Sequence, residues 1–348
     1  MRAFRRLALL VASGLAVAIA SSAPAAGKEV VVDCTKASIQ DALGDKAPDL
    51  TIVVKGWCNE HVVIRRPVVL RGFSGDPSLD GIEGPGAGAD IALVHVHDVP
   101  TTAFAAPTPE NQAVVFRDLG IRDSERAGLF TAHANVGLRN VRISGNAAEG
   151  GSFTYDSFVV AIDADFIDNG GAGFNVRRTA VMQCGSCEIS GNGGFGVVAT
   201  NDGVAFLYDG TAVSGVRGAN ANNDGHVVFA DGTSVAGTIR ALSATAAGDI
   251  DLSGATVDGS IVCGMDGRFN HFDMTQTSNP NGNFFFAGCN FVGEGTAVFT
   301  GHTLFEGPVQ GVEYGPTTFD TLSCDGPHSD LICYAGSTST SSTCGSCP

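Results

Sequence analysis

The chain has one tryptophan, four tyrosines and four methionines in 348 residues, and only 16% of its residues are charged. An average soluble protein is about a quarter charged. That shortage excludes coiled coils and charge-laced helical bundles. Basic residues are fewer than acidic ones, 20 against 36, for a formal charge of −16. Duplex nucleic acid is held by basic patches, so no nucleic-acid partner is predicted. No Gly-X-Y period runs through the chain, which excludes collagen. There is no phosphate loop, dinucleotide fingerprint or Gly-x-Ser-x-Gly elbow. What is present is glycine, 47 residues, in a chain that is 44% hydrophobic. Such a chain is too apolar to be disordered. Many short strands joined by tight turns are expected.

The first 25 residues read as an export signal. Arg2, Arg5 and Arg6 precede an apolar run over 7–20, and Ala23-Pro24-Ala25 is a small-x-small cleavage site. The run is short for a membrane helix and none follows it, so no transmembrane span is predicted. Secretion, or delivery to a periplasm, is the expected destination. All ten cysteines lie beyond the cut: Cys34, Cys58, Cys184, Cys187, Cys263, Cys289, Cys324, Cys333, Cys344 and Cys347. An even count in an exported protein reads as disulfides. Chain order offers five local pairs, 34–58, 184–187, 263–289, 324–333 and 344–347. Spacing alone leaves redox or zinc roles open for the two Cys-Gly-Ser-Cys segments.

A repeat organises the chain. Gly-Ile121-Arg-Asp-Ser, Arg-Ile143-Ser-Gly-Asn, Phe-Ile167-Asp-Asn-Gly, Glu-Ile189-Ser-Gly-Asn, Ala-Val213-Ser-Gly, Ser-Val235-Ala-Gly and Thr-Val257-Asp-Gly recur at steps of 22, 24, 22, 24, 22 and 22 residues. Five residues before each marker stand Phe116, Leu138, Ile162, Cys184, Tyr208, Ala230 and Leu252. Turn-like pairs such as Asp209-Gly210 lie between. No helical period fits. Each unit reads as strand, turn, strand, turn, strand, and buries its apolar face only by stacking on its neighbours. The markers are expected to form one inward column. A unit of 22 residues is too short for a propeller blade.

These repeats resemble the right-handed parallel β-helices of the pectin-lyase-like superfamily, from about Val30 to at least Ser260. Asn146 and Asn192, at one repeat position, are similar to the asparagine ladders of that family. The resemblance implies an all-β, single-stranded right-handed parallel β-helix with a short N-terminal cap helix, placed at Ser38–Gly44. The expected divisions are a cap and first coil over 26–66, coils over 67–311, and a C-terminal cap with a Ser/Thr/Cys-rich tail over 312–348. Insertions at 100–112 and 263–289 interrupt the coils.

Four residues before the markers stand Arg117, Arg139, Asp163, Gly185, Asp209, Asp231 and Ser253. Asp163 and Asp165, two apart, would share a strand face. Family pectate lyases use carboxylates for Ca²⁺ and an arginine as base, so the resemblance nominates Asp163, Asp165 and Arg139 as catalytic candidates with Ca²⁺ as the cofactor. A carboxylate pair also suits glycoside hydrolysis. Against this, the Asn-Thr-Asp, Asp-Asp, His-Gly and Arg-Ile-Lys set of galacturonan hydrolases is missing. Asp209, Asp231, His271 and Phe272 are the ligand-binding candidates. His95 and His97 alternate on one strand and could hold a metal, but no third ligand is identifiable. Trp57, beside Cys58, reads as packing. The expected function is an exported β-helix that presents an elongated face to an extended ligand, a polysaccharide or other cell-surface component. A polysaccharide lyase or glycoside hydrolase, and a structural or adhesive surface protein, remain alternatives.

Overall fold

The computed structural model describes residues 27–84, 91–99, 108–230, 232–264, 268–276, 283–287, 290–293, 297–306, 310–313, 317–325, 331–332 and 338–342. The stretch expected to be an export signal, Asp231, Cys289, Cys333, Cys344 and Cys347 lie outside them. Among the described residues, twenty-nine strands form a continuous parallel stack. Each regular coil has three faces. Strand Val114–Arg122 supplies the first two and Ala127–Ala132 the third. Strands Asn135–Ser144 and Gly151–Thr154 repeat the pattern one rung later. Parallel pairing carries the stack through Thr317–Asp325 to Thr338–Ser342. The Ser/Thr-rich run read as a tail is thus a strand, since the branched threonines suit extended backbone. No helix among the described residues is long and apolar enough to cross a membrane.

The core is a set of ladders. On the second face Ile121, Ile143, Phe166, Ile189, Val213, Val235 and Val257 align rung on rung. Phe166 takes the place expected for Ile167, whose side chain is turned outward and half-buried. On the first face the inward column is Phe116, Leu138, Ala161, Cys184, Leu207 and Phe229. Ile162 and Tyr208, which stand five residues before the markers read from sequence, point outward. Ile162 was counted from Ile167, one residue past the inward Phe166. In the Tyr208 coil the corner holds three residues, Asp209 to Thr211, where Asn140 with Val141, Asp163 with Ala164 and Ser186 with Cys187 make two. Counting back from the second face therefore slips by one residue, and a slip of one turns a side chain to the other side of a strand.

Asn146, Asn169 and Asn192 form the buried ladder at the next corner. Asn169 Oδ1 accepts from Asn146 N at 3.2 Å and Nδ2 at 2.8 Å, and Asn192 Oδ1 accepts from Asn169 N and Nδ2, both at 3.0 Å. Asn169 is the member that the sequence reading passed over.

The N-terminal end is closed by a one-turn helix, Ile39–Ala42. Ser38 caps it by accepting from Asp41 N, and Ile39 is buried beneath it. The Glu60 carboxylate accepts from Ile39 N at 2.7 Å and Gln40 N at 3.1 Å. A Cys34–Cys58 disulfide fastens the cap. Trp57 lies across Gly81 and Gly120, where any side chain would meet its ring. Its ring is covered by the Arg122 guanidinium, 3.6 Å from the centroid, and Arg122 is held by Glu83 at 2.7 Å. Packing is the role that this position supports.

Asp80 is 4% exposed and accepts from Gly56 N at 2.7 Å and Ser74 N at 2.6 Å. Burial alone would raise its pKa. The hydrogen bonds outweigh it and hold the carboxyl below the usual range. A depressed folded pKa gives stability that is complete above the unfolded value and lost as pH falls through the folded one. Urea midpoints measured from pH 5 to pH 2 should fall more steeply for the native protein than for Asp80→Asn. Parallel curves would show that Asp80 contributes nothing to acid sensitivity.

Candidate functional site

The structure divides the candidate catalytic trio into two ion pairs. Asp163 sits at the first corner with a left-handed φ of 54°, so it is off the strand that begins at Asp165. The period-two argument for a shared face fails there, because the coil bends between the two residues. Arg139 Nε is 3.7 Å from Asp163, and Glu110 lies 3.9 Å away on its other side. Asp165 instead accepts from Arg142 Nε at 3.1 Å and Nη2 at 3.0 Å on the second face. Glu110 comes from the turn Pro109–Asn111, the described part of the 100–112 insertion. This turn lies against the outer side of the first face at Gly137, where a side chain would strike Pro109.

The histidine pair shares a face as its alternation implied, with ring centroids 4.4 Å apart. His97 Nδ1 lies 2.9 Å from Asp98, and Arg65 Nε donates to His97 Nε2 at 2.8 Å. Both nitrogens of His97 are thus engaged. His95 packs edge-on against Phe130. Burial, with His97, His61 and Arg65 nearby, lowers its pKa to about 4. It is neutral at physiological pH. No group of three His, Cys, Asp or Glu side chains among the described residues is placed to hold a metal ion.

Two aromatic arrangements stand on the surface. At the corner after the third face, Tyr155 is stacked on His133 at 5.5 Å, and Arg178 lies 4.7 Å over its ring. Both faces of Tyr155 are covered, so a ligand can reach only its edge. The first face differs. Strand Val204–Tyr208 turns Ala205 and Leu207 inward, and Phe206 and Tyr208 outward. Tyr208 lies over the backbone of Gly185, one rung away. A Cβ at Gly185 would meet the ring at 2.7, 3.0 and 3.3 Å through Cε2, Cζ and Cδ2. The ring therefore lies flat on the sheet, with glycine as its floor. Partial burial, then the adjacent Asp209 charge, raises its pKa.

That floor is fixed. Gly185 lies inside the Cys184–Cys187 disulfide, which closes the corner. Buried Thr211 braces it: its hydroxyl lies 2.9 Å from Cys184 O and 2.8 Å from Tyr208 O, and accepts from Cys187 N at 3.2 Å. Cys184 and Cys187 are buried, so this segment is a structural staple rather than an exposed thiol pair. Phe206 is 40% exposed beside the platform, with Gln183 in register one rung away. Asp209 stands at the adjoining corner, exposed, with φ 50°. The backbone of His271 and Phe272 belongs to strand Arg268–Gln276. Their side chains lie outside what is described.

Residues 81–235 match the family model described as a right handed beta helix region. The chain folds as a right-handed parallel β-helix. This β-helix is consistent with the pectin-lyase-like fold that its repeats resemble. No curated protein and no solved structure matches it. Sequence reading missed Tyr208 and Phe206 as surface groups. The signal was the alternation Phe206, Leu207, Tyr208, which a fixed count from the markers overrode.

Proposed function

We propose that the β-helix is an exported protein that binds an extended polysaccharide on the outer side of its first face. The observation that carries this reading is Tyr208, flat on Gly185 with Phe206 beside it. A ring laid on a sheet offers its π-face to the apolar face of a pyranose. A disulfide-fixed floor means that little ordering is needed on binding. Phe206 and Tyr208 are two residues apart on one strand, about 6.8 Å. They form two neighbouring contact points across the coil. The formal charge of −16 disfavours polyuronates, so a neutral glycan is the expected ligand.

Affinity electrophoresis through gels carrying single polysaccharides tests this. Retention is expected in a neutral glycan, and Tyr208→Ala should weaken it about tenfold or more, as for buried aromatic anchors elsewhere. Tyr155→Ala should leave it unchanged. Retention in no glycan, or equal retention of Tyr208→Ala, would overturn the proposal. The same incubations, with and without Ca²⁺, can be read for unsaturated products and reducing ends. Product that disappears in Asp163→Asn would replace binding by lyase or hydrolase chemistry.

A further inference from the structure

The third face carries a different polar group. On its outer side Ser152 aligns with Asn175, and continuing that register places Thr154 beside Arg177. Arg177 aligns in turn with Thr200 on the next rung. Among the described, partly buried arginines, Arg71, Arg122, Arg139 and Arg142 each face a carboxylate. Arg66 is held by the carbonyls of Asp45 and Ala47. Arg177 has only the Ser152 hydroxyl, to which Nη2 donates at 3.1 Å. Its Nε is buried without a partner, as are Thr154 Oγ1 and Asn175 Oδ1. Thr154 is 1% exposed. Unpaired buried donors cost about 1–3 kcal/mol each, so native proteins rarely leave several together.

We infer that Arg177, with Thr154 and Asn175, forms an oxyanion-binding subsite on the third face. An acidic protein repels anions at long range. Only a local donor set without its own carboxylate can hold one, and Arg177 meets that condition. The guanidinium fork suits a planar carboxylate or a tetrahedral sulfate or phosphate. The Thr154 hydroxyl adds a neutral donor. The Asn175 carbonyl oxygen, an acceptor that repels an anion, suits a neighbouring hydroxyl. The preferred ligand is therefore an oxyanion next to a hydroxyl.

Isothermal titration of the whole protein with sodium sulfate and with sodium phosphate, against chloride at matched ionic strength, tests the subsite. Saturable binding is expected, at least about tenfold weaker in Arg177→Gln, since a hydrogen bond to a charged group is worth that much. Arg177→Lys should keep part of it. Thr154→Val, nearly isosteric, should weaken it while leaving the urea midpoint equal or higher, since it removes an unpaired buried hydroxyl. A sulfated or carboxylated oligosaccharide that binds more tightly than the free anion would assign the group to a polymer; equal affinity would assign a free ion. No saturable binding, undiminished binding in Arg177→Gln, or equal Arg177-dependent binding of a neutral oligosaccharide would overturn the inference. Tyr208→Ala should not alter anion binding, which separates this site from the first-face reading.

Discussion

Asn169→Ala is expected to destabilise the β-helix by roughly 2–6 kcal/mol, because each of two buried groups left unpaired costs about 1–3 kcal/mol. Asn169 bonds on both sides of its rung. Its Oδ1 satisfies Asn146 N and Nδ2, and its Nδ2 donates to Asn192 Oδ1 and to Ile143 O at 3.2 Å. Alanine would take the acceptor from the Asn146 N–H and from its Nδ2 in a place without water access. A solenoid is stabilised by neighbouring rungs, so the damage should spread first to the adjoining coils. Urea unfolding measures the loss, and hydrogen exchange locates it. Amides of Asn146 and Gly170, whose N–H groups bond to Asn169 Oδ1 and Asn146 O, should exchange early. A change below about 1 kcal/mol would show that the corner holds its shape without the ladder.

The second large effect separates two adjacent residues. Phe166→Ala should cost about 3–5 kcal/mol, the usual range for a buried phenylalanine. Ile167→Ala should cost less than about 1 kcal/mol. Phe166 is fully buried, with Phe174 at 5.1 Å and Phe153 at 6.5 Å between ring centroids. These three rings fill the section of core between the second and third faces, and alanine would leave a cavity there. Ile167 lies on the outer side, in register with Ser144 and Ser190. Matched urea curves of the two variants decide the phase of the repeat. The reverse order of effects would restore Ile167 to the inward column and overturn the register described for this coil.

That pair also shows how far the sequence could be read. A period near 22 residues, β-branched markers and glycine-rich turns were enough to specify a stacked all-β solenoid. One unit cannot bury its own apolar face, so the repeat itself demands stacking. The disulfides Cys34–Cys58 and Cys184–Cys187 were likewise legible as close pairs in a chain read as exported. Asn146 and Asn192 pointed to the ladder, and the marker taken at Ile167 instead of Phe166 hid Asn169, which stands three residues after Phe166 as Asn146 stands after Ile143. The site was less legible. Arg139 was correctly placed near Asp163, yet its second partner Glu110 arrives from an insertion 29 positions earlier.

What the sequence alone determined is the architecture, because strand alternation and turn chemistry are local and repeat in every coil. What the tertiary structure decided is phase. Two or three residues at the first corner determine which side chains enter the core and which face outward. The third corner residue puts Tyr208, five residues before its marker, on the surface instead of in the inward column, and rung register pairs Asp165 with Arg142. It cannot be read from spacing, because an added corner residue is absorbed as left-handed backbone at Gly210, next to Asp209, without disturbing the strands on either side.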